Sequence, residues 1–264
     1  MDLGTPKVMG ILNATPDSFF AASRVQTEKA VAERACQMAE EGADIIDVGA
    51  CSTRPGATPV DEQEEMARLR MALAVVRREL PQMPLSVDTF RPDVARMTVE
   101  EMGADIINDV GTMADKTSAL PETGTMFQTV ARLRVPYILM ASEPTLRDTL
   151  LFFAEKVQQL CDLGQKDIIL DPGFGFGKTV QQNYELLSQM ERLQVMELPI
   201  LVGVSRKSMI FRTLGCTPDE ALNGTTVLNT IALMKGAGIL RVHDVKEAVQ
   251  AVTLVSKITS DISQ

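Results

Sequence analysis

Short apolar runs alternate along this chain with longer stretches whose apolar positions recur every three or four residues. The runs at 8–14, 44–50, 85–89, 105–110, 136–141, 199–205 and 239–245, and one that begins at Ile168, are rich in Ile, Val and Leu and predict buried strands. Between the first two, Ala30, Val31, Ala35, Met38 and Ala39 mark one face of a helix, and Gly42 ends it. Further helices are predicted over 60–80, from Pro92 onward, and over 118–133, 145–163 and 246–258, with a short one begun at Ser208. Eight strands alternating with helices predict an α/β protein. In a chain of this length a closed parallel (β/α)₈ TIM barrel is favoured over an open sheet, as a single domain over 1–264.

Polar residues cluster where the strands end. Asn13, Asp47, Asp88, Asn108, Asp171, Lys207, Arg241 and His243 fall on or just after the carboxyl ends of the runs. Barrel active sites lie at that end, and phosphate often binds at the loops after the last two strands. Carboxylates and amides facing one another across an apolar wall suit a flat heterocycle with adjacent donors and acceptors, because such edges need partners once water is excluded. Lys207, Arg241 and His243 suit a diphosphate, and free amides where Ser208 starts its helix suit a carboxylate.

The glycine-rich turn after Asp171, Pro-Gly-Phe-Gly-Phe-Gly-Lys-Thr, approaches two phosphate motifs and matches neither. Only three residues separate Gly173 from Gly177, so it is not a P-loop. Lys178 stands where a dinucleotide fingerprint needs its third glycine. A nucleophile elbow fails as well, since Lys207 replaces the second glycine after Ser205.

A net charge of −9 argues against a nucleic-acid or membrane-surface role, which calls for a basic face. The cysteines at 36, 51, 161 and 216 are far apart and there is one histidine, so neither a disulfide framework nor a structural zinc site is expected. No leader or long apolar run is seen, and a cytoplasmic location is expected.

Taken together, the motifs resemble the dihydropteroate synthase family of folate biosynthesis. The resemblance is carried by Met-Gly-Ile-Leu-Asn-Ala-Thr-Pro-Asp-Ser-Phe (9–19), Ser-Thr-Arg-Pro-Gly-Ala (52–57), Ser-Val-Asp-Thr (86–89), Ile-Asn-Asp-Val (107–110), Asp-Pro-Gly-Phe-Gly-Phe-Gly-Lys (171–178), Val-Ser-Arg-Lys-Ser (204–208) and Arg-Val-His-Asp-Val (241–245). The segments are collinear and span nearly the whole chain. The resemblance implies a transferase in which the amine of 4-aminobenzoate displaces diphosphate from (7,8-dihydropterin-6-yl)methyl diphosphate.

By motif match, Asp88, Asn108, Asp171 and Lys207 would hold the pterin, while Thr53, Pro55, Phe176, Lys207 and Ser208 would surround the aminobenzoate. Asn13, Arg54, Arg241 and His243 would hold the diphosphate, with Asn13 on its Mg²⁺. Lys207, Arg241, Asp171 and Arg54 would carry the catalytic roles. The family also implies a homodimer, here through the last two helices. The chain departs from the usual family pattern after Phe19, at Ala50 and Cys51, at Ala141 and Ser142, and from Gly111 to Met113. Two other readings of the residues stay open: a non-catalytic or altered pterin-binding paralogue, and an aldolase with Lys207 as a Schiff-base lysine.

Overall fold

The computed structural model describes residues 4–14, 24–50, 60–111 and 125–260. Eight parallel strands run in the order β6-β5-β4-β3-β2-β1-β8-β7. They are β1 Lys7–Asn13, β2 Ile45–Gly49, β3 Leu85–Asp88, β4 Ile106–Asp109, β5 Tyr137–Met140, β6 Ile168–Asp171, β7 Leu201–Val202 and β8 Ile239–Val242. A bridge between Leu170 and Ile200 brings the two ends of the sheet together, so the strands form the expected barrel.

Around it lie α1 Arg24–Glu40, α2 Glu62–Glu79, α3 Pro92–Glu100, α4 Met126–Leu133, α5 Leu146–Asp162, α6 Val180–Ser188, α7 Ser208–Leu214, α8 Leu222–Met234 and α9 Val245–Ser260. A 3₁₀ helix, Met190–Met196, follows α6. The helix starts follow from local chemistry. Asp61 caps α2 through the Glu64 amide, and Thr125 and Thr179 form reciprocal capping boxes with Gln128 and Gln182.

Strand alternation sorts the side chains. Met9, Ile45, Ile106, Ile138, Ile169, Leu201 and Ile239 form a buried apolar cluster of their own, distinct from the larger one that packs sheet against helices. Two residues farther along their strands, Ile45, Ile106, Ile169 and Ile239 are followed by Asp47, Asn108, Asp171 and Arg241. A period of two puts these polar residues on the same inner face, one layer above an apolar floor. The outward neighbour Asp109 instead accepts a hydrogen bond from the buried Tyr137 hydroxyl at 2.5 Å.

Two differences from the sequence expectation have physical causes. Strand β7 spans two residues rather than seven, because the chain leaves the sheet into a turn at Ser205 and Arg206, where Arg206 adopts φ of 53°. Strand β8 ends at Val242, which places His243 in the bend beyond it. Of the stretch predicted as helical from residue 118, the part before residue 125 lies outside the described residues, and α4 runs Met126–Leu133.

Candidate active site

At the carboxyl end of the barrel, the inner faces of β2, β3, β4 and β8 converge on one guanidinium. Arg241 donates from Nε to Asp47 Oδ2 at 2.7 Å and from Nη2 to Asp88 Oδ2 at 2.8 Å. Asn108 Nδ2 adds a 3.1 Å bond to the same Asp47 oxygen. The pairing is set by register, since Gly49 lies beside Asp88 and Asp88 beside Asn108 on neighbouring strands. Asp47 is fully buried, and its Oδ1 takes no hydrogen bond from the described residues. Asp47 is therefore the hub of the cluster, a role its sequence context does not reveal.

Electrostatics follow from a fully buried carboxylate, Asp47, and a partly buried one, Asp88, sharing one cation. Burial, opposed by Arg241 and reinforced by Asp47, pushes the Asp88 carboxyl up to about 7. For Arg241, burial acts to lower the pKa, but Asp47 and Asp88 outweigh it and hold the guanidinium charged.

The loop after β6 builds the other wall. Gly173 sits at φ of 67°, and a Cβ there would lie 1.8 Å from the Ala141 carbonyl oxygen, so only glycine admits this approach. Gly175, at φ of 83°, leaves room for the Lys207 stem, which would come within 3.0 Å of an added Cβ. Asp171 Oδ1 accepts the Gly173 amide at 2.8 Å, fixing the carboxylate, while its Oδ2 takes no hydrogen bond from the described residues.

Lys207, from the turn after β7, donates to the Phe174 carbonyl and lies 4.6 Å from the centre of the Phe176 ring. Burial lowers the Lys207 ammonium to about 8 against the pull of Asp171, and burial raises Asp171. The structure therefore brings Asp88, Asn108, Asp171, Phe176, Lys207 and Arg241 to one end of the barrel. Ser208 opens α7 directly after Lys207.

Asn13 ends β1, and its Oδ1 would lie 3.7 Å from a Cβ placed on Gly49, with Asp88 Oδ2 at 3.8 Å on the other side. His243 follows β8, with Nδ1 3.0 Å from Ser205 Oγ. Thr53, Arg54 and Pro55 lie outside the described residues.

Several supports were not legible in the sequence. Lys178 donates to the carbonyls of Gly173 and Phe176 at 3.1 and 3.3 Å, tying the glycine loop to itself. Its position at the end of the glycine run was the available signal. Buried Glu65 accepts from Thr89 Oγ1 at 2.8 Å and pairs with Arg91, whose Nη2 reaches the Val60 carbonyl at 2.6 Å. This brace secures the chain immediately after Asp88. Arg206, by contrast, is not a substrate cation: Nε and Nη2 bind Asp244 at 2.9 and 2.8 Å, and Nη1 binds the Asp219 carbonyl at 2.7 Å.

The depressed Lys207 predicts a signature in stability. A lysine with folded pKa about 8 and unfolded value 10.5 burdens the fold fully below pH 8, and the burden fades as pH rises to 10.5. The unliganded protein is therefore expected to gain stability relative to Lys207→Met between pH 8 and 10.5, by urea unfolding. A constant difference between the two proteins over that range would contradict the burial of a charged ammonium.

Comparison with known proteins gives consistent matches. A family model described as pterin binding enzyme matches residues 9–243. Dihydropteroate synthase of Escherichia coli is 38% identical over 267 aligned positions, covering 98% of this chain and 94% of that one. Among solved structures, the Xanthomonas albilineans dihydropteroate synthase with 4-aminobenzoic acid has a TM-score of 0.87 at 37% identity, covering 98% of this chain and 95% of that chain. The Clostridium difficile dihydropteroate synthase in the presence of pteroic acid has a TM-score of 0.88 at 34% identity, covering 97% of each.

Proposed function

The chain belongs to the dihydropteroate synthase family, transferases of folate biosynthesis, and we propose that its strand-end ring divides the work of that reaction among the residues described above. The reaction joins 4-aminobenzoate to (7,8-dihydropterin-6-yl)methyl diphosphate, giving 7,8-dihydropteroate and diphosphate. Asp88, Asn108, Asp171 and Lys207 hold the pterin. The observation that carries this reading is the buried set of acceptors above an apolar floor, with Asp47 Oδ1 and Asp171 Oδ2 lacking donors among the described residues. A flat ring edge rich in N–H groups supplies what such acceptors lack.

Lys207, Phe176 and Ser208, with Thr53 and Pro55, border the aminobenzoate. Arg241, His243 and Asn13, with Arg54, meet the diphosphate. The amine nitrogen attacks the pterin methylene carbon as the carbon–oxygen bond to diphosphate breaks, and the amine then loses a proton. An arylamine is unprotonated near neutral pH, so no protein nucleophile is needed. Arg241, charged at any working pH, stabilises negative charge on the departing group, and Lys207 orients both reactants.

Mg²⁺ fits this donor set. Asn13 offers one hard, neutral oxygen at the end of β1, and Mg²⁺ is commonly held by one or two protein oxygens with substrate phosphates and water. When bound, the ion neutralises charge on the diphosphate. Diphosphate release on mixing protein, Mg²⁺ and both substrates tests the reading, and a chelator should suppress it. Pterin binding without diphosphate release would favour a non-catalytic paralogue. Lowered basicity at Lys207 would by itself also suit a Schiff-base lysine, but family membership selects the transferase.

Residues 1–264 are read as one pterin-binding domain, acting in the cytoplasm on small molecules without nucleic acid or membrane partners. Among the described residues no helix is long and apolar enough to cross a membrane. The partner is a second copy of the chain. Val227, Ile231 and Met234 form an exposed stripe on α8, and Leu254 and Ile258 another on α9, where Leu254 is 67% exposed. Two adjacent apolar stripes on the outer wall support a homodimer. Leu254→Glu is expected to shift the protein toward monomer in sedimentation velocity, and a parent protein already monomeric at micromolar concentration would refute this assembly.

A further inference from the structure

Ser205 is 95% buried, on the turn that follows β7, and both of its side-chain contacts go to one residue. The backbone amide of His243 donates to Ser205 Oγ at 3.2 Å, and His243 Nδ1 lies 3.0 Å from the same oxygen. A hydroxyl has one proton and two lone pairs. The amide can only donate, so it occupies one lone pair. The hydroxyl proton then has one acceptor among the described residues, the Nδ1 lone pair. If Nδ1 carried a proton instead, the buried hydroxyl would accept twice and leave its own proton without a partner, an unfavourable arrangement away from water.

We propose that Ser205 is a positioning residue that locks His243 as the tautomer protonated on Nε2. An anion needs a donor, and this tautomer presents Nε2–H while the ring is still neutral. The Arg34 guanidinium holds the other end of the residue, donating from Nη2 to the His243 carbonyl at 2.6 Å, so the backbone beneath the ring is fixed as well. Serine and histidine are 38 positions apart in the chain, brought together because β7 and β8 are adjacent in the sheet. The use of this donor rests on the reading above that His243 meets the diphosphate.

The chain contains a single histidine, so NMR of protein labelled only at histidine reports one imidazole. With the full-length protein at pH 8, the parent should show one neutral form with the proton on Nε2. Ser205→Ala should show both tautomers in exchange, and Ser205→Thr, which keeps the hydroxyl, should restore the parent spectrum. In steady state, Ser205→Ala should raise KM for the pterin diphosphate about three- to tenfold, the effect of one lost neutral hydrogen bond, with a smaller change in kcat. A parent ring protonated on Nδ1, or the same tautomer ratio in parent and Ser205→Ala, would overturn the lock. A confirmed lock with unchanged diphosphate affinity in Ser205→Ala, by calorimetry with inorganic diphosphate and Mg²⁺, would leave the tautomer standing and remove His243 from the diphosphate site.

Discussion

Replacing Arg241 by methionine is expected to destabilise the unliganded protein by about 3–5 kcal/mol at pH 8, the usual effect of removing one partner from a buried ion pair. Methionine fills much of the same volume, so lost packing contributes little. What remains is Asp47, fully buried, and Asp88, both having lost the guanidinium that neutralises them. The sign of the pH dependence follows from the carboxyls. Asp88 already titrates near 7 in the fold against an ordinary value of 3.8, because burial outweighs Arg241. Without that cation its folded pKa rises further.

A raised carboxyl makes the folded state hold protons that the unfolded state has released, so stability falls as pH rises through the interval between the two values. Arg241→Met should therefore approach the parent near pH 4 and diverge from it toward pH 8. Urea unfolding at both pH values measures this. A loss below about 1 kcal/mol at pH 8, or a loss equal at both values, would mean that the carboxylates are neutralised by something other than Arg241. Binding should fail together with stability if the same guanidinium meets the diphosphate as proposed above.

How much of this could be read in the sequence depends on how far apart the partners lie. Ile45 with Asp47, and Ile169 with Asp171, were legible because a strand's inner face repeats every second residue, a local rule. The eight-fold alternation was legible for the same reason. The brace between Asp47 and Arg241 joins residues 194 positions apart, and no local pattern marks it. Arg206 stands beside Lys207 in the sequence, yet its φ of 53° turns it toward Asp244, 38 residues on. Neighbours in sequence thus face different partners, since direction depends on one backbone angle.

Helix α8 was missed for a different reason. Its sequence, Leu-Asn-Gly-Thr-Thr-Val-Leu-Asn-Thr-Ile-Ala-Leu-Met, is apolar or small on most sides. Leu228 and Leu233 are buried while Val227, Ile231 and Met234 are exposed, so the 3.6-residue contrast that marks a surface helix is absent. A helix apolar on both faces is what a second copy would require, so one property accounts for both the hidden helix and the proposed dimer.

Asp171→Asn should weaken pterin diphosphate binding by about 2–4 kcal/mol, roughly 30- to 1000-fold, with little change in fold stability. The change is isosteric, so nothing in the packing of β6 is disturbed. Local geometry decides which way the new amide faces. Gly173 N–H donates to Asp171 Oδ1 at 2.8 Å, and in the variant that amide selects the asparagine oxygen. The NH₂ group must then occupy the place of Oδ2, where the pterin, in the proposed site, presents its own N–H groups. One charge-assisted hydrogen bond becomes a donor facing a donor, and flipping the amide only moves the same conflict onto Gly173.

Lys207 adds to the loss. Asp171 opposes the depression of its ammonium, so removing that charge should lower the Lys207 pKa below about 8 and thin the population able to donate. Calorimetry with the pterin diphosphate and Mg²⁺, on a variant shown by urea unfolding to be folded, measures the effect. Affinity within threefold of the parent would place the pterin somewhere other than against Asp171. A widening of the deficit between pH 7 and pH 9 relative to the parent would identify Lys207 as the second donor to the same ligand.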